Sequence, residues 1–165
     1  MVSAAEVIDT LKSKYAVLAV AESLTGGLIT ERITAVPGAS EVLWGGFVAY
    51  TVEAKVRLLH VMPDAISRYG VVSTEIARAM AKGAVDSMPA ADKRKYGLAV
   101  TGIAGPSGGT ALLPVGTVCI ACVSYIQAAY TFISECYVFK GSRADVREQT
   151  YAAALEMLQY CLDKE

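Results

Sequence analysis

Twice in this chain an apolar, strand-like run ends in a glycine-rich loop. The first run, Tyr15-Ala-Val-Leu-Ala-Val20, leads into Ala21-Glu22-Ser23-Leu24-Thr25-Gly26-Gly27, and the residues beyond it, Leu28 to Thr34, have helical character. The second run, Tyr96-Gly-Leu-Ala-Val100, leads into Thr101-Gly-Ile-Ala-Gly-Pro-Ser-Gly-Gly109. A strand–loop–helix unit places its loop at the carboxyl end of the strand, where open α/β sheets bind ligands. Glycines let the backbone approach a ligand closely, and free N–H groups at a helix N-terminus favour an anion. Ser23, Thr25 and Thr101 add hydroxyl donors or a nucleophile. Together the loops point to a small phosphorylated molecule and to chemistry performed on it.

The rest of the chain predicts a frame for such loops. Ser3 with Glu6 forms a capping box for an opening helix that turns Val7, Ile8 and Leu11 toward a core. A second strand is expected over Gly45–Thr51, then helices over 52–61, from Pro63 to Gly70, and from a Ser73 cap through Met88. After the third strand come two more, Val115–Tyr125 and Ala129–Phe139, whose short connection predicts an antiparallel hairpin. Ser142 with Asp145 caps a last helix through Cys161. Alternating strands and helices followed by a hairpin imply one domain over 1–165: a three-layer α/β/α sandwich. Its sheet is mixed and mostly parallel, ending in the antiparallel hairpin. No linker, repeat or low-complexity segment interrupts it.

Charge and composition exclude several classes. With a net charge of −1 and a pI near 5.9, the chain lacks the basic face that a nucleic-acid partner requires; the short cluster Lys93-Arg94-Lys95 is read as a solvated turn. Mean hydropathy is high, +0.42, and no charged side chain falls between Lys95 and Glu135. Pro106, Pro114 and several glycines nevertheless break that stretch, so a membrane span of about 20 residues does not fit and buried strands do. No basic segment followed by an apolar core opens the chain, so no signal peptide is expected and the expected location is cytoplasmic. The apolar surplus suggests burial between subunits of a homo-oligomer.

Cys119 and Cys122 form a C-x-x-C, but an odd spacing on a strand sends the two thiols to opposite faces. His60 is the single histidine, too few for a zinc site, and it is placed at a helix end as a packing or surface residue. All four cysteines are therefore read as reduced residues of the structure, and no metal or cofactor is expected. Neither loop follows the Walker or the G-x-G-x-x-G pattern.

Ser23 as a nucleophile needs a base, and a lysine kept neutral by burial can replace histidine in that role. Lys55, just after the second strand, is the best placed. Spacing alone also allows it to be an ordinary exposed helix lysine. Arg143 and Arg147 lie one turn apart near the start of the last helix, where the dipole disfavours cations. A bound phosphate or carboxylate would explain them, and so would a solvated face.

Five separated segments carry a family resemblance: Ala-Glu-Ser-Leu-Thr-Gly-Gly (21–27), Gly-Gly-Phe-Val-Ala-Tyr…Lys (45–55), Gly-Val-Val-Ser (70–73), Val-Thr-Gly-Ile-Ala-Gly-Pro-Ser-Gly-Gly (100–109) and Pro-Val-Gly-Thr-Val (114–118). In this order they resemble the CinA C-terminal-domain family of nicotinamide mononucleotide (NMN) amidohydrolases, without the N-terminal domain that longer relatives carry. The resemblance implies metal-independent hydrolysis of the NMN carboxamide to nicotinic acid mononucleotide and ammonia. Under it Ser23 is the nucleophile, Lys55 the general base and Tyr50 their neighbour. It also implies that Thr25, Gly26, Gly27, Thr101, Gly102 and Gly105 line the substrate site, and that Arg143 contacts an anion. The chain departs from the pattern at Leu24, where a cysteine is common, and at Val52, where a polar residue is frequent. It departs again at Leu112-Leu113, which replaces a Glu-Lys pair. Two other functions compete: a nucleotide-binding or regulatory module with little turnover, and an amidase for another small amide.

Overall fold

The computed structural model describes residues 1–89 and 92–165. The first helix, α1 (Ala4–Ser13), starts at the expected Ser3–Glu6 capping box. Strand β1 (Ala16–Glu22) follows, then α2 (Leu28–Thr34), a 3-10 turn (Ala39–Glu41) and β2 (Leu43–Val48). Three helices come next: α3 (Val52–Leu59), α4 (Pro63–Tyr69) and α5 (Thr74–Ser87). Strands β3 (Arg94–Gly102), β4 (Thr117–Ile126) and β5 (Ala129–Val138) and the long α6 (Arg143–Asp163) complete the chain.

The strands form one sheet in the order β2-β1-β3-β4-β5. β1 pairs in parallel with both β2 and β3, while β3–β4 and β4–β5 are antiparallel, so β4 alone runs against the other four. This is the mixed, mostly parallel sheet with a terminal hairpin that the sequence predicts. From β1 the chain goes first to β2 on one side and later to β3 on the other. The β1/β3 boundary is thus a topological switch point, with its crevice at the carboxyl ends of both strands.

Alternation along the strands builds two cores. Leu18, Val20, Leu98, Val100, Val118 and Ile120 face α1, α2 and α6. On the opposite face Ala19, Ala21, Ala99 and Ala121 meet α5 and the end of α3. These small residues let α5 lie close, and a Cβ on Gly97 would meet the Ala81 carbonyl of α5. Gly83 does the same one layer out, since a Cβ there would overlap the Leu59 carbonyl at the end of α3. The Gly83→Ala variant is therefore expected to push α3 from α5 and to lose about 1–3 kcal/mol of stability by overpacking. Denaturant unfolding measures this directly, and an unchanged midpoint would contradict the close contact.

Several local expectations are corrected. β1 runs on to Glu22 and β3 on to Gly102, so Thr101 and Gly102 belong to the strand rather than to the loop. β2 ends at Val48, before Tyr50 and Thr51, and α3 ends at Leu59 with His60 as its left-handed cap (φ 55°). The basic cluster is not a solvated turn. Arg94 and Lys95 open β3, and buried Lys95 donates from Nζ to the Met88 carbonyl at 3.1 Å. The cysteines are not all reduced either. Cys119 faces Cys136 across the β4–β5 ladder and is joined to it by a disulfide, leaving Cys122 and Cys161 as buried free thiols. As predicted, Cys119 and Cys122 point to opposite cores. Among the described residues no helix is long and apolar enough to cross a membrane.

Candidate active site

Three loops meet at the β1/β3 crevice. β1 ends in a tight turn in which Gly26 N–H donates to the Ser23 carbonyl (3.1 Å). Gly26 and Gly27 take left-handed conformations (φ 60° and 100°), which side chains with a Cβ rarely adopt. The turn presents Ser23 on the Ala21 side of the sheet, toward α3. From the other direction, Thr51 caps α3 by accepting the Ala54 N–H, and this first turn carries Lys55 inward.

The two side chains touch. Lys55 Nζ lies 2.9 Å from Ser23 Oγ and donates to the Ala49 carbonyl at 2.8 Å and to the Tyr50 carbonyl at 3.3 Å. Lys55 is 1% exposed, and among the described residues it has no carboxylate partner. Burial penalises the ammonium, so its pKa falls from the usual lysine range to about 8. A neutral amine has two protons and one lone pair. With two carbonyls taking the protons, the lone pair is left for the Ser23 hydroxyl.

Arg143, at the start of α6, closes the site on its outer side. It donates to the Gly105 carbonyl at 3.0 Å and to Tyr50 Oη at 2.9 Å. Arg147, one turn on, donates to the Thr25 carbonyl at 2.7 Å. The two cations at this disfavoured helix end are thus held by carbonyl and hydroxyl partners, and they tie α6 to the serine turn and the Gly105 loop. Thr101 is also engaged, donating to the Val71 carbonyl at 2.9 Å.

Between these groups lies a cavity of about 240 Å³, lined by Ser23, Tyr50, Lys55, Thr101, Gly102 and Arg143, with Val71 and Val72 on its apolar side. Arg143 is the fixed cation of its wall, and no carboxylate lines it. A roomier groove of about 640 Å³ runs past Pro37 and Trp44, but no titratable side chain lines it. No group of three or more His, Cys, Asp or Glu side chains among the described residues is arranged to hold a metal ion.

Six of the ten residues singled out from the sequence therefore meet in one cavity. Thr25, Gly26, Gly27 and Gly105 do not line it. Thr25 is fully buried, and its hydroxyl is without a hydrogen-bond partner. Gly26 and Gly27 shape the turn, and Gly105 supplies the carbonyl that anchors Arg143.

The N-terminus of α2 is not the free anion site that the glycine loop suggests. The fully buried Glu22 carboxylate already accepts from the N–H groups of Gly27 (3.0 Å), Ile29 (3.1 Å) and Thr30 (2.9 Å), and from Thr30 Oγ1 (2.7 Å). Sequence reasoning passed over Glu22. Its signal is a lone carboxylate closing an otherwise apolar strand directly before the turn.

Relatives and solved structures share this frame. The chain is 45% identical to a CinA-like protein of Myxococcus xanthus over 157 residues, covering 94% of the chain and 35% of that protein. It is likewise 45% identical to a CinA-like protein of a Geobacter species over 149 residues, 90% of the chain and 34% of the relative. It thus spans about a third of the length of these relatives. Its fold is similar to the crystal structure of the competence/damage-inducible protein CihA of Agrobacterium tumefaciens (TM-score 0.83, 35% identity, 97% of this chain and 93% of that one). A CinA-superfamily protein of Klebsiella pneumoniae also superposes (TM-score 0.83, 26% identity, 96% and 94% covered). The model of the CinA C-terminal domain matches residues 2–162, and the chain belongs to that family.

Proposed function

We propose that this domain is a serine–lysine amidohydrolase that converts NMN to nicotinic acid mononucleotide and ammonia. The observation that carries this reading is the contact between a buried, unpaired Lys55 and Ser23 Oγ at 2.9 Å. Neutral Lys55 takes the Ser23 proton as Oγ attacks the carboxamide carbon, and the carbonyl electrons move to oxygen. The lysine then returns that proton to the leaving nitrogen, the C–N bond breaks, and ammonia departs from an acyl-serine. Water, deprotonated by the same lysine, attacks the ester, and the acid leaves as Ser23 recovers its proton. The Gly26 and Gly27 N–H groups are held by the Ser23 carbonyl and Glu22, so stabilising the oxyanion falls to the Leu24 and Thr25 N–H groups of the same turn.

The walls of the cavity fit the charge of the substrate. Arg143 spends two N–H groups on Gly105 and Tyr50, and a guanidinium has five, so donors remain for a phosphate. With the α2 N-terminus filled by Glu22, Arg143 is the anion contact that this geometry favours.

Incubation of the purified chain with NMN, reading both ammonia and nicotinic acid mononucleotide, tests the proposal. Equimolar release of both is expected, at a rate unchanged by EDTA. Binding of NMN without ammonia would indicate the regulatory module, and ammonia from other small amides alone would redirect the substrate. Loss of turnover on chelation with recovery on adding a divalent ion would overturn the serine–lysine mechanism.

A further inference from the structure

We propose that Glu22 is a positioning residue, whose carboxylate fixes the serine turn so that Ser23 Oγ meets Lys55; this rests on the nucleophilic role proposed for Ser23. The residue grips the turn from both ends. Its backbone is held in β1 between Val48 of β2 and Val100 of β3. Its side chain points to the opposite face from Ser23, where it collects the donors of Gly27, Ile29 and Thr30. Residues 23–26 are therefore a four-residue span closed by a single amino acid, with both ends hydrogen-bonded.

A buried carboxylate without a cation is costly unless it is hydrogen-bonded, and here three backbone N–H groups and one hydroxyl compensate at the positive end of α2. The Gly27 N-cap has no side-chain cap of its own, so Glu22 supplies the one the helix lacks. An ordinary cap would come from the residue at the helix start. This one comes from the residue next to the nucleophile, which couples the helix end to the reacting oxygen. Arg147 on the Thr25 carbonyl braces the same span from α6.

The isosteric Glu22→Gln variant puts an NH2 where one oxygen accepts, opposing an N–H with another donor. A misplacement of about 1 Å can cost on the order of 100-fold in rate. A fall in kcat of about 10- to 100-fold is therefore expected, with KM within about threefold and the midpoint of the pH–rate profile unmoved. Ile33→Val, in the core of the same helix, is the control for simple destabilisation and should keep the wild-type kcat. A second readout needs no substrate: the rate at which a sulfonyl fluoride labels Ser23, followed by intact mass. Labelling should slow about tenfold or more in Glu22→Gln. If that variant does not fold, Thr30→Val removes one of the four donors and should lower both rates about two- to fivefold. A folded Glu22→Gln or Thr30→Val protein with unchanged kcat and labelling overturns the proposal. Wild-type protein that releases no ammonia from NMN would sink the substrate assignment alone, and the labelling rates would still decide the role of Glu22.

Discussion

Ser23→Ala is expected to abolish ammonia release from NMN, with a loss of about a thousandfold or more in turnover. The side chain contributes little to the fold. Among the described residues its hydroxyl has one partner, Lys55 Nζ, and Lys55 retains two carbonyls when that partner is removed. Stability should therefore change little, and NMN should still bind, because Arg143, Thr101 and the apolar wall at Val71 and Val72 are untouched. Calorimetric binding beside a coupled ammonia assay separates the two effects. A variant that keeps more than about a tenth of the wild-type rate would exclude a covalent route, since among the described residues no other hydroxyl is hydrogen-bonded to Lys55. Direct attack by water would then replace it.

Much of this arrangement is legible in the sequence where local rules decide it. The capping boxes at Ser3–Glu6 and Ser142–Asp145 form as their spacing predicts, because each needs only four consecutive residues. The strand ends are less legible, since polar residues at Glu22 and Lys95 interrupt an apolar pattern. Each is kept in the sheet by a partner outside its own strand, the α2 donors in one case and the Met88 carbonyl in the other. The Cys119–Cys136 bridge depends on the register of the β4–β5 hairpin, which is set at a Gln127-Ala128 turn with two left-handed residues. That turn has none of the Asn-Gly chemistry that marks such a position. For the site, the sequence places Ser23 at a strand end, but the burial of Lys55 follows from α3 lying on α5 through Gly83, a contact that no spacing reveals. The arginine partners have the same origin, because Arg143 and Arg147 reach loops that lie between 38 and 122 residues away in the chain.

The ionisation of Lys55 offers the sharpest test of the dyad. Only the neutral amine can accept the Ser23 proton, and burial brings its pKa down to about 8. The neutral fraction grows as pH rises, so kcat/KM should climb about tenfold per pH unit below 8 and level off above it. Lys55→Arg keeps a cation of similar length but stays protonated throughout this range, and should lose about a thousandfold or more in rate. Its wider guanidinium must also fit where Nζ now sits between the Ala49 and Tyr50 carbonyls, so Lys55→Met serves as the companion variant. Methionine fills the buried stem without a charge and should fold well, because an unpaired buried amine is replaced by an apolar group of similar shape. It should be as inactive as the arginine variant and show no ionisation near pH 8. The logic depends on the pair: a fixed positive charge would survive in arginine and vanish in methionine, whereas a proton acceptor is missing from both. Substantial activity in Lys55→Arg alone would make Lys55 an electrostatic anchor and pass the base role to Tyr50 or to water.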